Sequence, residues 1–93
     1  MSYEIVLQSE AILDLQEAFE WYEKQKEGLG FEFIEEVESG YLKISGHPLQ
    51  YPPINTQFRR IRINRFPYLV VYEVEGNSVI INSVRHVKRE PKY

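Results

Sequence analysis

The chain has 93 residues, a length that predicts a single domain over residues 1–93, and its lack of cysteine excludes disulfides, thiolate catalysis and cysteine-ligated zinc. The formal net charge is −3, but it is unevenly distributed: residues 1–50 carry three lysines and eleven acids, a net of −8, whereas residues 51–93 carry eight lysines and arginines and three acids, a net of +5. This asymmetry indicates a basic face for an anionic partner, or a simple alternation of acidic helices and basic strands.

The first predicted element is a short strand over residues 3–8, where apolar and polar side chains alternate. Ser9 is the predicted N-cap of the helix that follows, and Gly28 can adopt the left-handed conformation that ends it. The predicted apolar stripe of this helix consists of Ile12, Leu15, Phe19 and Tyr22, with Ala11 and Ala18 beside it. The charged residues lie outside this stripe, so we expect an amphipathic helix with an acidic outer face.

A second helix is predicted over residues 29–44, and the short turn before it indicates an antiparallel helical hairpin. Its predicted stripe consists of Ile34, Val37, Tyr41 and Ile44, flanked by Phe31 and Phe33. Gly40 weakens a helix at this position, so we expect it to mark a close approach to the first helix or to the sheet.

The C-terminal half predicts three strands, over residues 58–64, 66–74 and 79–87, after a connection that contains three prolines. Gly76-Asn77 predicts a two-residue hairpin between the last two strands. Within the strand over residues 58–64, Ile61 and Ile63 are expected to face the core, and Arg60 and Arg62 to point away. We expect the first two strands to be adjacent and central in the sheet, and a basic tail over residues 88–93 to follow the last.

The predicted order is therefore β-α-α-β-β-β. It indicates an α+β fold in which a small, mainly antiparallel sheet packs one face against an N-terminal helical hairpin. The N-terminus lacks the regions of a signal peptide, and no apolar stretch reaches the ~18 residues of a membrane span, so we expect a cytoplasmic protein without membrane contact. Two histidines and the lack of a glycine-rich phosphate loop lead us to expect no metal, no cofactor and no small-molecule substrate.

The candidate chemistry is basic and lies in the C-terminal half. It consists of Arg59, Arg60, Arg62, Arg65, Arg85, His86, Lys88 and Arg89. Such a set can bind phosphate or carboxylate through bidentate guanidinium groups, or it can stabilise a phosphoryl-transfer transition state with His86 as acid or base. Alternatively, these side chains only solubilise the open face of the sheet and pair with the acids of the helices. Trp21 falls outside the main stripe and is either a core residue or an exposed anchor for a partner.

Three stretches, taken in order, carry a resemblance to a known family: AFEWYE with GLG.EF..EVE, then RFPY.V.YEV, then SVRH..R.P. From Tyr3 to Pro91 the chain resembles the RelE/ParE superfamily of bacterial type II toxins, and most closely its ParE-like, plasmid-stabilisation branch. The family fold is the β-α-α-β-β-β order predicted above. The resemblance implies a toxin encoded beside a cognate antitoxin, which wraps the toxin with an acidic and apolar segment that folds on binding.

The resemblance implies one of two targets. ParE-like members inhibit DNA gyrase by binding, whereas RelE-like members cleave mRNA in the ribosomal A site by general acid–base and electrostatic catalysis. This chain has a pI near 5.4 and an acidic second helix, which favours a binding toxin over an enzyme, because ribosome-dependent nucleases work beside dense phosphate. An mRNA interferase remains the alternative, with Arg62, Arg85 and His86 as the catalytic set and Tyr93 comparable to a C-terminal tyrosine. A non-toxic binding module of the same fold is the third hypothesis.

The residues expected to contact the antitoxin or the target belong to the basic set and the first helix. They are Trp21, Arg60, Arg62, Arg65, Arg85, His86, Lys88 and Arg89. We expect the antitoxin segment to lie along the sheet edge and the helical hairpin, with its carboxylates meeting the arginines.

Overall fold

The computed structural model describes residues 2–88 and confirms the predicted order of elements. Its helices and strands are β1 (Glu4–Leu7), α1 (Ser9–Gln25), α2 (Leu29–Gly46), β2 (Arg59–Arg62), β3 (Tyr68–Glu75) and β4 (Ser78–His86), with a 3₁₀ turn over Pro48–Gln50. The two-residue loop between β3 and β4 is the predicted Gly76-Asn77 hairpin, and Gly76 has the positive φ of 60° that this turn favours. Within residues 2–88, no helix combines the length and the apolar character that a membrane crossing requires.

The four strands form one sheet in the order β1-β4-β3-β2. β1 runs parallel to β4 and the other pairs are antiparallel, which confirms the mainly antiparallel sheet. One expectation was wrong: β2 is an edge strand and not a central one. Within residues 2–88, its outer side meets the proline-containing connection, where Pro53 forms an isolated bridge with Arg59 and the Arg60 N–H donates to the Pro52 carbonyl at 3.2 Å. Because proline has no N–H to donate, this segment covers the edge without extending the sheet.

The hydrophobic core lies between the helical hairpin and one face of the sheet. Its buried side chains are Ala11, Ala18, Phe33, Val37, Ile44, Ile61, Ile63, Phe66, Val70, Tyr72, Val79, Ile81 and Val84. Tyr72 is fully buried and its hydroxyl donates to the carbonyl of Pro48, which ties the proline-containing connection to the core. Burial raises the pKa of Tyr72 to about 12 against the opposing effect of Arg59, so this hydroxyl keeps its proton at neutral pH.

Helix α1 differs from its prediction in two ways. Its N-cap is Gln8, without a side-chain hydrogen bond, and Ser9 is already helical. Its buried face is centred on Ala11 and Ala18, whereas Ile12 is 50% exposed. The two alanines are short, so this face packs closely over β4, and the larger Ile12 lies on the flank.

Helix α2 buries Phe33, Val37 and Ile44 as expected, but Phe31 is 62% exposed and forms a T-shaped ring pair with Phe19. The expectation for Gly40 was also wrong, because a Cβ there would make an ordinary 3.5 Å contact with Ile63.

The glycine of α2 that lies too close to α1 for a larger side chain is Gly30, at the start of the helix. A Cβ on Gly30 would lie 2.8 Å from the carbonyl oxygen of Phe19 and 2.8 Å from the Cγ of Glu23. The Glu23 carboxylate accepts the N–H groups of Gly28 and Gly30 at 3.2 and 2.8 Å. This carboxylate on α1 therefore caps the N-terminus of α2, where the helix dipole favours an acid.

Replacing Gly30 with alanine is expected to lower the free energy of unfolding by about 1–3 kcal/mol, because the new methyl group overlaps backbone that cannot move freely. Gly40→Ala in the same helix is the matched control, and we expect it to be neutral or to stabilise by up to ~1 kcal/mol through helix preference. Urea denaturation of both variants makes the comparison. Equal stability of the two would contradict the close approach of α1 to Gly30.

Candidate functional site

Strand register brings three arginines onto the face of the sheet that points away from the helices. Arg62 lies opposite Leu69 on β3, and Leu69 lies opposite Arg85 on β4. Two residues away on each strand, and so on the same face, Arg60 lies opposite Val71. Because cross-strand partners share a face, Arg60, Arg62 and Arg85 form one group, named here the arginine row.

The arginine row is accessible and has an apolar floor. Arg60 and Arg62 are exposed and Arg85 is half-buried, whereas Ile61 between the first two is 7% exposed, which confirms the predicted alternation. A cleft of about 550 Å³ adjoins the row. It is lined by Tyr51, Pro52, Arg60, Ile61, Arg62, Leu69 and Val87. Guanidinium groups beside apolar side chains suit a partner segment that combines carboxylates with apolar residues.

His86 lies on the opposite face of the sheet from Arg85. It pairs with Tyr68, and the two rings meet edge-on with centroids 5.3 Å apart. The Tyr68 ring in turn contacts the ring of Phe33, a buried residue of α2, with centroids 5.0 Å apart. His86 therefore lies on the face of the sheet that is covered by the helices. Consecutive strand residues point to opposite faces, and the structure therefore brings Arg62 and Arg85 together but separates both from His86.

A second concave region lies between α1 and the end of β4, and we name it the Trp21 groove. Its volume is about 410 Å³. It is lined by Asp14, Glu17, Ala18, Trp21, Tyr68, Val84, His86 and Lys88. Trp21 is 59% exposed at this groove, which places it as an exposed aromatic side chain and not as a core residue.

Two hydrogen bonds fix the inner wall of the Trp21 groove. The N–H of Val84 donates to Asp14 Oδ2 at 3.0 Å, which joins α1 to β4. The N–H of Lys88 donates to His86 Nδ1 at 3.1 Å. Since Nδ1 acts as the acceptor, neutral His86 carries its hydrogen on Nε2.

Arg65 lies apart from the arginine row, in the turn between β2 and β3, where its φ is 71°. It forms an ion pair with Glu32 of α2 at 2.8 Å. This hydrogen bond, with the nearby Glu36 and Glu35, raises the pKa of the Arg65 guanidinium above its usual value. Arg65 thus follows the alternative interpretation in which sheet arginines pair with the acids of the helices. Arg89 and Tyr93 lie outside the described residues.

The groove contains functional candidates that the sequence analysis missed, namely Asp14, Glu17 and Tyr68. One signal was available, because Asp14, Glu17 and Trp21 are spaced by three and four residues and so share a helix face. Across residues 2–88, histidine, aspartate and glutamate side chains form no cluster of three or more that could hold a metal ion.

Comparison with known structures supports the fold. The chromosomal ParDE toxin–antitoxin system from P. aeruginosa contains a chain that superposes with a TM-score of 0.80 at 13% identity, covering 91% of this chain and 96% of that one. A mutant of the E. coli toxin RelE with two arginine-to-alanine substitutions, in the free state, gives a TM-score of 0.59 at 15% identity, covering 95% of this chain and 86% of that one. At these identities the likeness concerns the fold alone.

Comparison of the sequence identifies the family. None of the curated proteins matches the chain. The family model described as the ParE toxin of the type II toxin–antitoxin system parDE matches residues 5–91, which is nearly the whole chain. The chain therefore belongs to the ParE family of type II toxins.

Proposed function

We propose that this ParE-family toxin acts by binding DNA gyrase and inhibiting it, and that a cognate antitoxin neutralises it by covering the arginine row. The observation that carries the proposal is the placement of the arginine row on one face of the sheet and of His86 on the other. The row offers guanidinium groups for binding without a histidine beside them for proton transfer.

Proton transfer in RNA cleavage requires an acid or base within hydrogen-bond reach of the reacting oxygen. A phosphate held between Arg62 and Arg85 would have the sheet between itself and His86. The chain also lacks the strong positive charge that counterion release rewards in proteins working on RNA, since its net charge is −3. Both points favour a binding toxin over an mRNA interferase.

The antitoxin contact follows from the chemistry of the same face. Leu69 lies between Arg62 and Arg85, so an apolar side chain of the antitoxin can rest on it while neighbouring carboxylates meet the guanidinium groups. The target uses the same face in this proposal. Neutralisation is then direct competition between antitoxin and target.

The test is a supercoiling assay with purified gyrase, relaxed plasmid and increasing toxin, with and without the antitoxin encoded beside it. We expect supercoiling to fall with toxin and to recover with antitoxin. Unchanged supercoiling at saturating toxin would overturn the proposal. In that case, cleavage of a reporter mRNA on translating ribosomes would identify an interferase, and harmless overexpression without antitoxin would identify a non-toxic binding module.

A further inference from the structure

The Trp21 groove has a chemistry opposite to that of the arginine row. Asp14 and Glu17 face it from α1, and Lys88 faces it from the end of β4, so its carboxylates outnumber its ammonium group by two to one. Its aromatic side chains are Trp21, Tyr68 and His86. Carboxylates beside exposed aromatic rings form a site for an organic cation, since the ring faces and the carboxylates both attract positive charge.

We propose that the Trp21 groove binds an arginine side chain of the target, and that it is a contact the acidic antitoxin segment does not use. A guanidinium group suits the groove better than an ammonium group does. It is planar and can stack on Trp21, and its fork of N–H donors can meet the Glu17 carboxylate at the same time.

Charge complementarity decides the source of this arginine. An enzyme that grips duplex DNA presents arginine and lysine to the phosphates, so gyrase offers the cation that the groove requires. An acidic antitoxin segment would instead be repelled by Glu17. This inference rests on the proposed function, because it takes gyrase as the target.

The architecture of the groove supports binding more than a purely structural role. Asp14 is already committed to the N–H of Val84 and holds α1 against β4. Glu17 and Trp21, about one and two turns further along the same helix, are both exposed at the groove. Asp14 thus positions the wall, and Glu17 and Trp21 are the side chains that would contact the arginine.

Trp21 is the only tryptophan of the chain, so its fluorescence reports on the groove directly. The first arm titrates the toxin with N-acetyl-arginine methylamide and with the citrulline analogue, which has nearly the same shape and no charge. We expect a saturable change with arginine and binding weaker by about fivefold or more with citrulline, because the charge is what the rings and the carboxylate recognise. Equal binding of the two probes, or no saturable change, would overturn the inference.

The same arm tests whether the chain fills its own groove. Residues 89–93 contain Arg89 and Lys92 and lie outside the described residues. The full-length double variant Arg89→Gln/Lys92→Gln is expected to bind the arginine probe as the wild type does. Tighter probe binding by the double variant would show that this basic tail competes for the groove, and would overturn the assignment to a partner.

The closing arm compares Glu17→Gln with Glu20→Gln in the supercoiling assay. Both residues are exposed on α1, both changes remove one negative charge, and only Glu17 lines the groove. We expect Glu17→Gln to raise the toxin concentration for half-inhibition about tenfold, Glu20→Gln to leave it within about twofold, and neither to change antitoxin affinity.

The outcomes separate this inference from the proposed function. Inhibition by the wild type with identical curves for the two variants overturns the inference and leaves gyrase as the target. A loss of antitoxin affinity in Glu17→Gln as large as its loss of inhibition also overturns it, because the groove would then serve both partners. A wild type that never inhibits supercoiling contradicts the proposed function itself, whatever the variants do.

Discussion

Replacing Phe33 with alanine is expected to lower the free energy of unfolding by about 3–5 kcal/mol, a large share of the ~5–15 kcal/mol typical of a folded domain. Phe33 is fully buried, and its ring lies 5.0–5.3 Å from the rings of Tyr22, Phe66 and Tyr68. Removing it leaves a cavity between α2 and the sheet. Since the Tyr68 ring also contacts His86 and both line the Trp21 groove, we expect the groove to lose its shape as well.

The matched control for Phe33→Ala is Phe31→Ala, two residues earlier on the same helix. Phe31 is 62% exposed and meets Phe19 edge-on with ring centroids 4.9 Å apart. Its truncation is expected to cost less than about 1 kcal/mol, because little of the ring leaves water on folding. Urea denaturation followed by far-ultraviolet circular dichroism measures both variants. Comparable losses would mean that the helix is rotated relative to the structure described here.

The order of the elements could be predicted because periodicity is a local property. Residues 58–64 alternate and residues 66–74 are almost continuously apolar, and both became strands. Sheet order is not local. Alternation in β2 shows that one face of the strand is buried. The same alternation is expected for an edge strand and for a central strand of a sheet that has one face open to solvent. The edge position of β2 depends on which chain segments can pair with it. Pro52 and Pro53 lie along its outer side and have no N–H group with which to extend the sheet.

The rotation of the helices was harder to predict than their existence. In α1 the apolar residues Ala11 and Ile12 are adjacent, and the larger of them was expected in the core. The structure buries the smaller one, because a helix that packs closely over a sheet needs short side chains at the contact. The same ambiguity affected Phe31 and Phe33, where only tertiary contacts select the inner ring.

The candidate site was predictable on one face only. Alternation along β2 was sufficient to place Arg60 and Arg62 outward. Alternation along β4 also implies that Arg85 and His86 face opposite sides of the sheet. Which of the two shares a face with Arg62 depends on the register of β4 against β3, and that register includes an irregularity between Val71 and Tyr72. The Trp21 groove joins α1 to β4 across 70 residues of sequence, and no local pattern reports such a contact.

Charge reversal in the arginine row, through Arg62→Glu, is expected to weaken binding of the cognate antitoxin by about 100-fold or more. A carboxylate would then face the acidic antitoxin segment, and like charges at an interface cost several kcal/mol where each 1.4 kcal/mol is tenfold in affinity. Isothermal titration calorimetry with the purified antitoxin measures the change. Because antitoxin and target use the same face in our proposal, inhibition of supercoiling should fall in parallel.

Arg65→Glu is the matched control, since it makes the same change of charge three residues further along the chain. Arg65 reaches across to Glu32 of α2 and is not part of the arginine row, so we expect antitoxin affinity to stay within about threefold of the wild type. Raising the ionic strength should reduce the difference in antitoxin affinity between the wild type and Arg62→Glu, because exposed charges are screened by salt. Equal losses in the two variants would show that the antitoxin responds to overall charge, and the arginine row would then have no specific role.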